Sequence, residues 1–336
     1  AYFQIPLKRS SQKYCGVVTP FKGIRIYLRC AMGMPGSESV LEELMSRILG
    51  HLIVKGKVVK IADDLYIGSD TTLEDLFETW SEVVRLLSDN DLRLSASKTV
   101  VLPQSTIVLG WIWNQGTLSA SSHLISPLVH AEPPKTVKGL RSFIGTFRCL
   151  SKVIEGASKI VSPLESLVAG RQSAEKITLS ESALSCFNAV KDCIKSTKTI
   201  HMPKRSDHLW IVTDGAVKSS GIGATLYITR GNNNHPLLAG FFSAKLKQHQ
   251  PRWLPCEIEA LAISSACNHF RPLIIQSLHQ TRVLTDSKPC VEAYKKLNHG
   301  EFSTSARVQT FLTIYNNNKH SPKRGSSPPP LFSGLS

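Results

Sequence analysis

Carboxylates at two places in this sequence have the type and spacing that phosphoryl-transfer chemistry uses. Asp63 and Asp64 are adjacent within Val58-Val59-Lys60-Ile61-Ala62-Asp63-Asp64-Leu65-Tyr66-Ile67-Gly68. Adjacent acids can both face a divalent cation only where a strand is distorted, since successive side chains otherwise point to opposite faces. Taken alone, the pair is a weak signal and reads first as a solvated acidic turn. Farther along, Asp214 closes an apolar run that starts at Leu209, and Asp286 closes Thr281–Thr285. Between them, Cys256-Glu257-Ile258-Glu259-Ala260-Leu261-Ala262 reads as the start of a helix. Acids at the C-terminal ends of two strands, with a helical Glu between them in sequence, can converge on a pair of divalent ions. Each Asp by itself is more often a turn or cap residue. The two glutamates lie two positions apart and point in different directions on a helix, so periodicity leaves open which one faces such a site.

The elements that must position these acids follow from periodicity. Apolar residues at 40, 41, 44, 45, 48, 49 and 52, and again at 73, 76, 77, 80, 83, 84 and 87, predict helices on both sides of the Asp63-Asp64 hairpin, which follows the Lys55-Gly56-Lys57 turn. Ile107 to Trp113 is one apolar run, predicted as a strand that ends at Asn114-Gln115-Gly116. Residues 136–196 are predicted helical and basic. Beyond Pro203, strands at Leu209–Thr213, Gly221–Thr229 and Leu238–Ser243 precede a helix over Cys256–Phe270, a strand at Thr281–Thr285 and a helix after Pro289. That order predicts an α+β or mixed-sheet domain. The last stretch, 316–336, is poor in apolar residues and is expected to lack fixed structure.

Composition narrows the partners. The chain has 336 residues, 42% of them hydrophobic, enough for two or three cores. Its formal charge of +15 points to a polyanion, either nucleic acid or an anionic membrane surface. Residues 1–60 hold 10 basic and 3 acidic groups, whereas 61–134 hold 3 and 10, so basic flanks enclose a carboxylate-rich stretch. This suits a backbone-binding cleft with a metal site inside it. No apolar run of about 18 residues is present. The eight cysteines are scattered without a C-x-x-C pair, and they are expected to be reduced.

From residue 1 to about residue 300 the chain resembles the Pol polyproteins of LTR retrotransposons of the gypsy and BEL type, with Ile61-Ala62-Asp63-Asp64 at the place of the Tyr-x-Asp-Asp motif of their reverse transcriptases. Ala1-Tyr2-Phe3-Gln4-Ile5-Pro6-Leu7 resembles the segment that follows the family's first catalytic aspartate, which makes Tyr2 the aromatic gate against a ribose 2′-OH. Cys30-Ala31-Met32-Gly33-Met34-Pro35-Gly36-Ser37 is similar to the template and nucleotide loop, with Met32 and Gly33 in contact positions. Lys98 falls near the lysine assigned to protonating pyrophosphate, and Leu109-Gly110-Trp111 resembles the primer grip. The second half resembles ribonuclease H, with Asp214, Glu259 and Asp286 as its first three catalytic carboxylates and Glu257 as an exposed first-turn residue.

The resemblance implies a multidomain α/β and α+β chain: a partial reverse transcriptase palm over 1–120, a thumb- or connection-like helical linker over 121–205, a ribonuclease H-like fold over 206–315 and a disordered tail over 316–336. It also implies magnesium at two-metal sites, with manganese as a substitute. The implied partners are an RNA template, a DNA primer, an RNA/DNA hybrid and dNTPs, with no membrane, in an intracellular setting (cytoplasm, nucleus or retroelement particle).

Two departures set expectations. Ile61 replaces the motif's tyrosine, and the first catalytic aspartate is expected about four residues before Ala1, so this stretch is not expected to polymerise. The family's fourth ribonuclease H carboxylate has no counterpart, because no Asp or Glu follows Glu301, while Lys319–Gly325 resembles the His-x-x-Gly loop before it. Hybrid cleavage is the activity left open. The alternative is a catalytically dead nucleic-acid-binding remnant.

Overall fold

The structure, a computed structural model, describes residues 1–69, 71–216, 221–231, 233–247, 249–301, 305–318 and 332–334. The chain divides into two units, Ala1–Leu102 and Pro103–Ser336.

In the first unit a 3-10 turn (Tyr2–Gln4) and a short helix α1 (Arg9–Gln12) precede the antiparallel hairpin of β1 (Gly16–Thr19) and β2 (Gly23–Ile26). Helix α2 (Ser37–Val54), the hairpin of β3 (Val58–Ile61) and β4 (Asp64–Ile67), and helix α3 (Leu73–Asp89) follow. The predicted helical spacing turns Leu41, Met45, Leu49 and Leu52 of α2 and Val83 and Leu87 of α3 onto one core with Ile5, Val58 and Leu92. Thr72 caps α3 by accepting from the Asp75 N–H at 3.1 Å. Asp75 in turn accepts from the Lys57 ammonium at 2.5 Å and the Ser69 hydroxyl at 2.8 Å. The Lys57 bond, then the Ser69 bond, holds the Asp75 carboxyl below its ordinary value, and the entry of β3 is fastened to the first turn of α3.

The second unit begins with an antiparallel meander, β5 (Ser105–Val108), β6 (Trp111–Asn114) and β7 (Thr117–Ala120), to which β8 (Ile200–His201) adds a strand. The run from Ile107 to Trp113, expected as one strand, is two. Leu109 (φ 50°) and Gly110 (φ 81°) reverse the chain, and Gln115 (φ 46°) and Gly116 (φ 79°) reverse it again. Positive φ at both loop residues is the conformation of type I′ hairpins, whose twist matches the strands they join. A Cβ on Gly110 would also lie 2.6 Å from Leu124 Cγ. Residues 103–120 pack with the helical segment, Leu118 and Trp111 joining its core.

That segment comprises α4 (Ser122–Val129), α5 (Val137–Cys149), α6 (Ala157–Val168) and α7 (Glu181–Lys195), packed around Leu140, Phe147, Leu164 and Phe187. Thr136 and Ser180 cap α5 and α7.

Three antiparallel strands come next, β9 (His208–Ala216), β10 (Gly221–Arg230) and β11 (Asn233–Lys245). Helices α8 (Pro255–His269) and α9 (Arg271–Gln276), strand β12 (Arg282–Thr285), helices α10 (Lys288–Asn298) and α11 (Ala306–Asn318) and strand β13 (Phe332–Gly334) complete the order. The sheet runs β11-β10-β9-β12-β13, with β12 parallel to β9 and β13 parallel to β12. Alternation on β10 buries Ala224, Leu226 and Ile228 against Ala260, Ile263 and Cys267 of α8. Of the stretch expected to lack structure, 316–318 close α11 and Phe332–Gly334 form β13; the remainder, including the loop-like 319–325, lies outside the described residues. None of the eight cysteines is paired. No helix among the described residues is long and apolar enough to cross a membrane.

One buried ion pair seals the start of β9. Asp207, 2% exposed, accepts from Arg230 Nε at 3.1 Å and from the Lys204 N–H at 2.8 Å, while Arg230 Nη2 donates to the Met202 carbonyl at 2.7 Å. Arg230→Ala should destabilise the second unit by about 3 kcal/mol, because it strands a buried carboxylate. Urea melts followed by tryptophan fluorescence measure this; a midpoint within error of wild type would show that the pair bears no structural load.

Candidate active sites

In the first unit, Asp63 and Asp64 stand at the bend of the β3–β4 hairpin, both exposed, with Ile61 paired to Asp64. The strand is distorted there: Ala62 adopts φ 51°, the position at which two-residue hairpins of the II′ type carry glycine. Lys60 holds the bend by donating to the Ala62 carbonyl and to Glu42. The nitrogen of Ala1 lies 3.5 Å from Asp63 Oδ2. Tyr2 is in the same neighbourhood; loss of solvent first, then the charges of Glu38, Asp63 and Glu42, raise its phenol above the ordinary value. Met32 is 66% exposed and Gly33 has φ 78°, so this loop presents backbone. Lys98 is exposed at the end of a 3-10 turn, Ala96–Lys98. Trp111 belongs to the second unit, on β6, where the Lys152 ammonium sits 3.8 Å over its ring.

The second site grows from strand register. β12 pairs with β9 as Arg282↔Trp210, Val283↔Ile211 and Leu284↔Val212. Two residues beyond Leu284 comes Asp286 and two beyond Val212 comes Asp214, so both acids leave neighbouring strands at one level. Both are exposed. The Thr213 hydroxyl donates to the Leu284 carbonyl at 3.3 Å and fastens the two strand ends.

Glu259, not Glu257, is the α8 residue that lies against β9. The Gly215 N–H donates to Glu259 Oε1 at 3.1 Å, and a Cβ on Gly215 would lie 3.0 Å from Glu259 Cδ and 3.1 Å from its Cα. Any side chain at 215 would therefore lift the helix. Glu259 Oε2 is buried and accepts no hydrogen bond. Burial pushes this carboxyl up to about 7; the Gly215 bond opposes the rise, and the charges of Asp286 and Asp214 add to it.

Glu257, expected to be exposed, is 6% exposed. It accepts from the Leu254 N–H at 3.0 Å, from Ser305 at 3.0 Å and from Arg307 at 3.2 Å, and so caps the helix and ties it to the start of α11. The Pro255-x-Glu257 spacing, proline at N1 and glutamate at N3, was the signal available for this role. Gly215 and Lys60 are the other positioning residues that spacing alone passes over.

The donor set of the second site suits a divalent cation: two exposed aspartates flank a carboxylate with a raised proton affinity and a buried, unpartnered oxygen, all relieved by positive charge. No group of three or more His, Cys, Asp or Glu among the described residues is arranged to hold a metal ion. The acids share one field without being gathered on one point.

A pH dependence follows with a definite sign. With a folded value near 7 against 4.5 for an ordinary Glu, the native state binds the extra proton between those limits, so stability falls as pH rises from 4.5 to 7. Glu259→Gln should flatten this part of the profile. Melting temperatures in EDTA across that range measure it, and parallel wild-type and variant curves would contradict the buried carboxylate.

Comparisons with known proteins agree with this division of labour. Residues 1–113 match the family described as reverse transcriptase (RNA-dependent DNA polymerase), and 179–283 match the RNase H-like domain found in reverse transcriptase. The retrovirus-related Pol polyprotein from transposon opus of Drosophila melanogaster is 25% identical over 308 residues, covering 88% of this chain and 30% of that protein. The transposon Tf2-3 polyprotein of Schizosaccharomyces pombe is 22% identical over 316 residues, 94% of this chain and 23% of that protein. The chain thus spans less than a third of these relatives. The foamy viral protease-reverse transcriptase in complex with dsDNA superposes with a TM-score of 0.72 at 15% identity, over 98% of this chain and 64% of that one. Its complex with RNA/DNA hybrid gives 0.65 at 16%, over 92% and 40%. These likenesses show a shared fold. On these matches the chain carries a reverse transcriptase domain followed by an RNase H-like domain, and along most of its length it is similar to the Pol polyproteins of retrotransposons.

Proposed function

We propose that the second unit binds an RNA/DNA hybrid and cleaves its RNA strand, with Asp214, Glu259 and Asp286 holding magnesium or manganese. The observation that carries this reading is the shared field of three carboxylates at the ends of β9 and β12, centred on the unpartnered Glu259 oxygen. The foamy viral relative's complexes with dsDNA and with RNA/DNA hybrid support the choice of ligand. When bound, the metal supplies an activated water and charge stabilisation on the phosphate. The chain's own part is positional. Gly215 fixes the Glu259 rotamer, the Thr213 bond fixes the two strand ends, and the exposed aspartates stay open to a phosphodiester.

For the first unit we propose the nucleotide end of an RNA-directed DNA polymerase palm. Asp63 and Asp64 serve as metal ligands, Tyr2 as sugar gate, Met32 and Gly33 as the template and nucleotide loop, and Lys98 as the proton donor; Trp111, on β6 of the second unit, is proposed in its own right as a primer contact. Template RNA, primer DNA and dNTPs are its partners in the whole polyprotein, inside a retroelement particle, the cytoplasm or the nucleus.

A second reading, binding without cleavage, is favoured by the absence of an arranged metal-holding group among the described residues. One substitution separates the two. Asp214→Asn removes charge at nearly constant shape and should abolish magnesium-dependent cutting of a labelled hybrid while leaving the hybrid bound. Equal cutting by wild type and Asp214→Asn would refute the assignment, and no cutting by either would leave the binding reading. Binding itself should weaken as a power of salt concentration, since lysines and arginines displace counterions from phosphates. An affinity unchanged between 50 and 200 mM salt, a span over which phosphate-tracking proteins lose about 1,000-fold or more, would remove this basis.

A further inference from the structure

On the face of the sheet turned away from α8, a cleft of about 470 Å³ lies between the start of α6 and strands β9 to β11. Pairing fixes its floor. Gly223 stands opposite Asp214 on one side and Ser243 on the other, and Gly221 stands opposite Lys245. Ile222 and Ala224, which alternate with these glycines, point to the buried side. The floor beside Asp214 therefore carries no side chain on β10 until Thr225. A Cβ on Gly223 would meet only the Phe242 carbonyl, at 3.7 Å, so the fold does not need glycine there. The empty position serves whatever enters the cleft.

The roof is held in place. The Ser158 N–H donates to Ser243 Oγ at 2.9 Å and the Ser158 hydroxyl to the Ser243 carbonyl at 2.6 Å, which seats the first turn of α6 on β11. Lys159 of the roof and Lys245 of the floor are exposed, and neither has an ion-pair partner among the described residues. Glu155 and Asp214 also line the cleft.

The geometry points to a track for a single nucleic-acid strand, with its phosphodiester backbone on Lys159 and Lys245 and its path over the bare glycine floor leading to Asp214. A cleft of about 470 Å³ between the first turn of α6 and the sheet holds a short piece of strand. Two cations along an open floor beside an acid that suits a metal give a polyanion charge partners on both walls. This deepens the hybrid-cleavage reading, on which it rests, by assigning the strand that runs past the cut site to a surface shared by the helical segment and the sheet.

The test uses the full chain in EDTA, with fluorescence anisotropy on two probes: a blunt RNA/DNA hybrid and a single-stranded RNA of about 12 nucleotides, within the usual 4–16 nucleotide footprint. Gly223→Leu fills the floor and should weaken single-strand binding at least about tenfold, with blunt-hybrid affinity within about twofold of wild type and the melting temperature unchanged. Lys159→Ala with Lys245→Ala should lower the log–log salt slope for the single strand by about 1.4, at ~0.7 per contact. Unchanged single-strand affinity and slope in the double lysine variant would overturn the track, even if Gly223→Leu fails to fold. Displacement of the strand by AMP at equal nucleotide concentration would overturn it in favour of a free-nucleotide pocket. A wild-type chain that binds the single strand but not the blunt hybrid would defeat the hybrid reading while leaving the track in place.

Discussion

The contact on which the geometry of the second unit's candidate site depends is between a backbone amide and a carboxylate, Gly215 to Glu259. Because no Cβ fits at 215, α8 can ride directly on the end of β9, and the helix carries small residues, Ala260, Ala262 and Ala266, that allow close packing. That approach takes one carboxylate out of water beside two others that stay in it. The raised proton affinity of Glu259 is the electrostatic cost of the arrangement. A positive charge bound beside it would offset that cost.

The same logic, burial against exposure, separates the two glutamates of α8. Glu257 is shielded from solvent, yet its carboxyl is held below the ordinary value, because the Leu254 amide, Ser305 and Arg307 outweigh the burial that would raise it. One acid is satisfied and structural; its neighbour two positions on is unsatisfied and available. In the first unit the acids are kept in water by different means. Ala62 in a left-handed conformation, held by Lys60, turns the hairpin so that Asp63 and Asp64 leave it together into solvent.

Much of this was legible in the residues. The change of pattern beyond Pro203 marked the three antiparallel strands, and the apolar spacing over 40–52 and 73–87 marked α2 and α3 within a residue or two. Asp214 and Asp286 were readable because each ends an apolar run. What escaped has physical reasons. The turn at Leu109-Gly110 hides inside a continuous apolar run, since leucine rarely takes positive φ and only pairing shows that it does so here. The packing of residues 103–120 with the helical segment was hidden as well, because the pairing of β7 with β8 spans some 80 positions and is only two residues long. Glu257 read as exposed because its partners Ser305 and Arg307 lie on a distant helix start. The role of Gly215 needs a tertiary neighbour that no spacing rule supplies.

The account stands on Asp214, Glu259 and Asp286 forming one cation site. Titrating Mn²⁺ into isotope-labelled protein and following the backbone amide signals reports this by distance, since the paramagnetic ion broadens only nearby nuclei. The account predicts that Gly215 and Ser287 lose their signals at substoichiometric Mn²⁺, and that Glu259→Gln restores them. Signals of Gly215 and Ser287 that persist while those around Ala62 vanish would place the only cation site on the β3–β4 hairpin and contradict it.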